Sequence, residues 1–211
     1  MSTEEGARIA GNISFYEDAL SSFLSTQVKA VENNVRNAVN RANLEFSDEK
    51  IVASLLIDAY VDPLRVDFDN PDRNVEDMPV EGNDVFSSKV TISGTRVTKS
   101  FFFTGLRDLF RCQLSTLPSP PKAVVPAGTI SIVYEGSGHA SSIRQEIERA
   151  EKILREYIEN SRQRVDAHNA RLSTLLKRSV EKRRLSLLEF DGVFSTQSIQ
   201  PFQDKIVPLE A

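Results

Sequence analysis

Residues 12–62 and 139–191 contain neither glycine nor proline, although the chain of 211 residues holds nine of each. These two residue types are the strongest local breakers of helices, so their confinement divides the chain before any periodicity is counted. The prolines stand at positions 63, 71, 79, 118, 120, 121 and 126, and in the tail at 201 and 208. The flanks therefore read as long helices and the middle as turns and strands.

Periodicity supports the division. In the C-terminal flank Ile143, Ile147, Ala150, Leu154, Tyr157, Ser161, Val165, His168, Leu172, Leu175 and Ser179 recur at spacings that alternate four and three, a heptad seam. The N-terminal flank has Leu24, Val28, Val31, Val35, Ala38 and Ala42 at the same alternation, preceded by Ile13, Tyr16 and Leu20. Ser47 followed by Asp48 and Glu49 marks an N-cap with an acidic first turn. The first helix is thus expected to break near Phe46, and a second to bury Ile51, Val52, Leu55, Leu56 and Ala59 as it runs to about Tyr60. A helix over 141–189 would be about 70 Å long, whereas a globule of this chain length spans only about 45 Å. An apolar seam of that length needs cover, and the two N-terminal helices together nearly match it.

Between the flanks, 64–69, 85–93, 96–104, 109–115 and 128–136 are β-rich and separated by turn signals, with a short Gly94-Thr95 connection joining the second and third. The expected fold class is α+β, a long antiparallel helical hairpin (a coiled-coil-like stalk) with a small antiparallel β-sheet module inserted between its arms. The expected division is 1–62 for the N-terminal arm, 63–137 for the β module, 138–190 for the long C-terminal helix and 191–211 for a tail.

A net charge of −4 hides a polarised distribution. Residues 62–84 carry eight acids against Arg65 and Arg73, a net of −6; residues 162–184 carry eight bases against Asp166 and Glu181, a net of +6. Such poles can steer partners or pair head to tail with another copy. Within the basic pole Arg171, Lys177, Arg178, Lys182, Arg183 and Arg184 form a candidate phosphate-contacting face for nucleic acid. The competing reading is a helix end whose cations satisfy the macrodipole and face Glu4, Glu5, Glu17 and Asp18 across the hairpin. No aromatic residue interleaves the run, which leaves base stacking without a platform.

Few residues could carry bond-making chemistry. The single Cys112 cannot form an internal disulfide, and with only His139 and His168 neither a zinc cluster nor a nucleophile-histidine device assembles from close neighbours. The acidic stretch could offer Asp67, Asp69 and Asp72 to calcium, but Pro71 and Arg73 interrupt the ligand pattern, and a solvated loop is expected. Gly136-Ser137-Gly138 precedes a helix without the glycine pattern of a nucleotide loop, so Ser141 or Ser142 followed by Glu146 reads as a helix cap. The first residues lack a basic and an apolar segment of the secretory type, and no window is apolar enough to span a membrane. The expectation is a cytoplasmic, non-enzymatic protein with no cofactor and no metal.

The segments FFFTGLRDLFRCQLST (101–116), YEGSG (134–138) and the run from Tyr157 to Glu189 resemble the module that precedes a Toll/interleukin-1-receptor-like or nuclease effector domain in bacterial antiphage defence proteins. The resemblance covers residues 100–190 and implies a sensing or assembly role in defence, with the effector expected as a separate protein or a removed domain. It carries no catalytic motif. The function expected is assembly, scaffolding or sensing through contacts with further copies of the chain or with a protein partner; the alternative is a nucleic-acid-binding accessory protein that uses the six cations above.

Overall fold

The computed structural model describes residues 8–10, 18–83, 89–116 and 122–196. In chain order these form β1 (Arg8–Ala10), β2 (Asp18–Ala19), α1 (Leu20–Ala38), α2 (Asp48–Ala59), β3 (Arg65–Val66), β4 (Asp72–Asn83), β5 (Lys89–Thr104), β6 (Cys112–Gln113), β7 (Thr129–Gly136) and α3 (Ala140–Thr196). The fold is α+β with a long C-terminal helix and an antiparallel sheet. The chain divides into two compact units, one of Met1–Lys29 with Ala59–Leu172, the other of Ala30–Asp58 with Ser173–Ala211.

In the first unit β5 is the central strand. Its residues 95–102 pair antiparallel with β7, and β7 carries β1 on its far edge. The other edge of β5 takes β3 at residues 103–104 and β4 along 89–100. Alternation sorts the side chains: Phe101 on β5 and Ile130, Ile132 and Tyr134 on β7 are buried, while Phe102 is 63% exposed. The buried set shares one apolar cluster with Ile143, Ile147, Leu154 and Tyr157 of α3 and with Leu109 and Phe110 of a 3-10 turn at Arg107–Arg111. The Tyr157 hydroxyl lies 2.6 Å from the Leu109 carbonyl oxygen and 2.8 Å from that of Cys112.

The connection between β5 and the 3-10 turn requires glycine. Gly105 has φ +103°, and a Cβ there would stand 2.3 Å from the Pro63 carbonyl oxygen.

In the second unit the buried apolar side chains are Val31, Val35 and Val39 at the end of α1, Ile51, Val52 and Leu55 on α2, and Leu176 and Val180 on α3. Asn40 separates the first two helices, its Oδ1 accepting from the Ala42 N-H at 2.9 Å and the Asn43 N-H at 3.2 Å. Ser47 opens α2 as its cap, with Oγ 3.4 Å from the Lys50 nitrogen.

Several expectations change. The acidic stretch is not a solvated loop beyond Asp72: it is β4, paired with β5 over twelve residues. The Gly94-Thr95 connection is not a turn either, because β5 runs straight through it. A Cβ at Gly94 would lie 2.6 Å from Val80 Cγ1, so glycine here makes room for a cross-strand side chain rather than bending the backbone. Within the 109–115 segment the first three residues belong to the 3-10 turn and only Cys112–Gln113 is strand, β6, paired in parallel with β2.

At the N-terminus Arg8–Ala10 is a strand within the expected helical arm, and the helix begins at Leu20. Ile13 and Tyr16, and Glu4, Glu5 and Glu17 of the expected charge pairing, lie outside the described residues. Ser141 and Ser142 fall inside the first turn of α3, where Ile143 N-H bonds the His139 carbonyl oxygen at 3.1 Å, so neither is the cap. The helix continues past Asp191 and Gly192 to Thr196, which takes six residues from the expected tail.

The seams also drift. Ala42, expected on the first seam, is exposed because α1 ends at Ala38 and Ala42 stands in a 3-10 turn, whereas on α3 Leu176 and Val180 are buried where Leu175 and Ser179 were expected. A straight helix turns every 3.6 residues and drifts about 20° per heptad from a 3.5-residue repeat, so the buried line steps one residue onward at the far end. Among the described residues no helix is long and apolar enough to cross a membrane.

Candidate interaction site

The six cations of the basic pole do not form one face. Buried Leu172, Leu176 and Val180 define the inward side of α3. At 100° per residue Arg183 lies on the same side, Lys177 and Arg184 lie to its flank, and Arg171, Arg178 and Lys182 point the opposite way.

Arg183 and Arg184 hold the α1–α2 connection. Arg183 Nε donates to the Val39 carbonyl oxygen at 3.3 Å. Arg184 donates from Nε to Asp48 Oδ1 at 2.7 Å, from Nη1 to the Leu44 carbonyl oxygen at 2.6 Å and from Nη2 to that of Phe46 at 2.7 Å. One planar guanidinium thereby closes carbonyls that a broken helix leaves open, a geometry lysine cannot supply. Lys177 faces the start of α2, where it adds to the backbone and Ser47 hydrogen bonds that hold the Glu49 carboxyl below its usual range. Within the basic pole Arg184 thus meets Asp48 and Arg162 meets Glu159, whereas Asp18, expected to face the pole, pairs in β2 beside Cys112.

Arg171, Arg178 and Lys182 are exposed and form no ion pair among the described residues. Past them on the same helix Leu185 and Leu188 are 61% and 54% exposed. Arg178, Lys182 and Leu185, spaced four and three, share one outward stripe, with Leu188 one turn further. The charged part of this stripe was legible as helical spacing. Its apolar part was not, because the expected seam ended at Ser179, short of Leu185 and Leu188.

The second feature is the free part of β4 and β5. Residues 89–94 of β5 pair with β4 and have no β7 partner, so a two-stranded arm continues past the end of β7. One face carries Met78, Val80 and Ile92, with Ile92 40% exposed; Glu76 and Asp77 are exposed where the arm leaves the sheet. An open groove of about 390 Å³ lies along it, lined by Asp77, Met78, Pro79, Thr91, Ile92 and Ser93.

The remaining candidates serve structure. Asp67 Oδ1 accepts from the Asp69 N-H at 3.1 Å and the Asn70 N-H at 3.3 Å, and Oδ2 from Asn70 Nδ2 at 2.9 Å. These bonds, the Asn70 side chain first, hold its carboxyl below the usual range. No group of three or more metal-ligating side chains occurs among the described residues. Cys112 is 3% exposed, and burial, then Asp18 and Asp108, push its thiol up to about 11. At neutral pH it is protonated and a poor nucleophile. His168 has a buried Nε2 without a hydrogen-bond partner, and burial lowers its pKa. His139 is exposed at the start of α3.

Sequence reasoning did not find a partly buried charge cluster on the sheet. Glu151, on α3, meets Lys99 of β5 and accepts from Arg155 at 2.7 Å, while Arg155 stacks 4.1 Å from the Phe68 ring centroid. Burial raises the Glu151 carboxyl, and the Lys99 and Arg155 bonds together outweigh it, so the net direction is down.

Comparison with protein-family models, with curated proteins and with solved structures found no match.

Proposed function

We propose that this chain is a non-enzymatic assembly module of the cytoplasm, acting through protein-protein contacts, and that α1 and α2 return along α3 as a helical hairpin. The hairpin reading is supported by two bonds from α3, one to Asp48, the first residue of α2, from Arg184, and one to Val61, just past the end of α2, from Asn169. The assembly reading rests on one observation. Exposed Asp77 on β4 and exposed Arg178 and Lys182 on α3 form no ion pair among the described residues. Opposite unneutralised patches on one chain favour association of copies, or of a partner that mimics one of them. The resemblance to antiphage modules supplies the setting: assembly would recruit or activate an effector on detection of a phage component.

Light scattering after size exclusion, over a range of protein concentrations, tests this. A mass that rises with concentration supports assembly, and a monomer at every concentration and salt, with no partner recovered, overturns self-association.

A second reading is favoured by the shared outward direction of Arg171, Arg178 and Lys182, which matches a phosphate-contacting stripe. It predicts retardation of duplex or single-stranded DNA that is lost when these three are changed to Glu. Arg183 and Arg184 are unsuitable for that test, because replacing them removes bonds to Val39, Leu44, Phe46 and Asp48.

A further inference from the structure

We infer that β4 is a self-pairing edge: the β4 strands of two copies join antiparallel about a two-fold axis at Val75, so that their sheets become one. This rests on the assembly reading and names the surface that binds once charge has brought copies together.

The edge is open. Among the described residues β4 pairs with β5 alone, and residues 72–77 are all exposed, Val75 by 66%. The direction of its peptide groups follows from its neighbours. On β5 the Phe102 carbonyl oxygen accepts from the Asp67 N-H at 2.9 Å, whereas the Phe103 N-H donates to the Gly128 carbonyl oxygen at 3.2 Å, on the β7 side. Even-numbered residues of β5 thus turn their peptide groups toward β4, where Asp72 stands opposite Ser100, Asn74 opposite Thr98 and Glu76 opposite Arg96. Arg73, Val75 and Asp77 therefore aim theirs outward, and the Arg73 N-H meets the side chain of its own neighbour Asp72 at 2.9 Å. Pro79 falls in the same outward series, the place where a strand tolerates a missing N-H.

Edge strands commonly carry charge that repels a second strand. This one carries both signs, set symmetrically about an apolar residue. Arg73 and Asp77 stand two places either side of Val75, and Pro71 and Pro79 stand four. Antiparallel pairing centred on Val75 sets the two valines together and Arg73 of each copy against Asp77 of the other, all on the face that odd-numbered residues share. Neither Arg73 nor Asp77 forms an ion pair among the described residues. Asn74 falls opposite Glu76, the residue its amide already meets at 2.7 Å within one copy.

The same residues fix the register. Only registers a two-residue slide apart bring outward peptide groups face to face. One slide sets Asp72 against Glu76; the opposite slide sets two copies of Glu76 together and Arg73 against Pro79. The contact is isologous and the prolines end its ladder on both sides, so it closes as a dimer.

The test uses the full chain and three variants, with association constants read by sedimentation equilibrium. Val75→Pro removes the central outward N-H and, like Pro79, leaves the pairing with β5 in place; it should weaken self-association at least about tenfold. Arg73→Asp and Asp77→Arg each set like charges opposite one another twice, and each alone should weaken it by a similar factor, about tenfold. Mixed in equal amounts, these two should form a heterodimer, because opposite charges face each other again. Circular dichroism checks the fold of Val75→Pro, and heterodimer formation itself shows that the charge variants are folded. Association undiminished by Val75→Pro, or charge variants that weaken it and do not recover on mixing, would overturn the β4 contact while leaving assembly standing. A wild type that stays monomeric at every concentration would overturn both.

Discussion

The Asn169 side chain pairs with the backbone of Val61 through both of its ends: Oδ1 accepts from the Val61 N-H at 3.2 Å, and Nδ2 donates to the Val61 carbonyl oxygen at 2.7 Å. Val61 is 4% exposed and stands two residues past the end of α2, where the chain leaves the helix with peptide groups that need partners. An amide matches this pair because it carries a donor and an acceptor on one plane.

Asn169→Ala should cost about 2 to 3 kcal/mol, since a buried donor and acceptor lose their partner together. Asn169→Asp should cost at least as much, because a carboxylate cannot donate to the Val61 carbonyl. Urea denaturation followed by circular dichroism checks both, and an unchanged midpoint for Asp would show that the bond to the carbonyl contributes nothing.

The six cations should separate by role. Arg184→Ala should cost about 2 kcal/mol or more through loss of its charge-assisted bonds to Asp48, Leu44 and Phe46, and Arg184→Lys should recover only part of it. Lys182→Ala, at an exposed position, should stay within about 0.5 kcal/mol of wild type. Equal costs at the two positions would contradict the division between anchoring and outward cations.

This division marks how far the sequence could be read. Two glycine-free and proline-free flanks were enough to place α2, α3 and the cap at Ser47, because those features act within a few residues, whereas α1 takes only Leu20–Ala38 of the expected 13–46. β4 escaped notice because Asp72, Asn74, Glu76 and Pro79 are weak strand formers, and what makes them a strand is pairing with a β5 that comes later in the chain. Gly94 misled for a related reason: a glycine that admits Val80 looks, in sequence, like one that turns the backbone. Arg184 was counted with its neighbours because its carbonyl partners lie about 140 residues away.

Glu151 should set part of the acid limb of stability. Lys99 and Arg155 depress its folded carboxyl despite burial, so its contribution is present above the unfolded value of about 4.3 and is lost as pH falls through the folded value. Glu151→Gln should therefore destabilise the protein at pH 7 by about 3 kcal/mol, leaving Lys99 without its partner. The difference from wild type should shrink toward pH 3. Denaturation midpoints at the two pH values check the sign, and a difference that grows on acidification would refute it.

Cys112 should resist modification in the folded protein. With the thiol buried and raised to about 11, a disulfide reagent at pH 8 should react only at the rate at which the first unit opens, and fully in denaturant. Instant stoichiometric labelling without denaturant would place the thiol in solvent and undo the packing of β2 on β6.

The charge poles make the most direct demand on the assembly account. The association constant of wild type, measured by dilution calorimetry at 50 and 500 mM salt, should fall about tenfold or more as screening removes the attraction between β4 acids and α3 cations. An association that does not change with salt, or that strengthens, would contradict it.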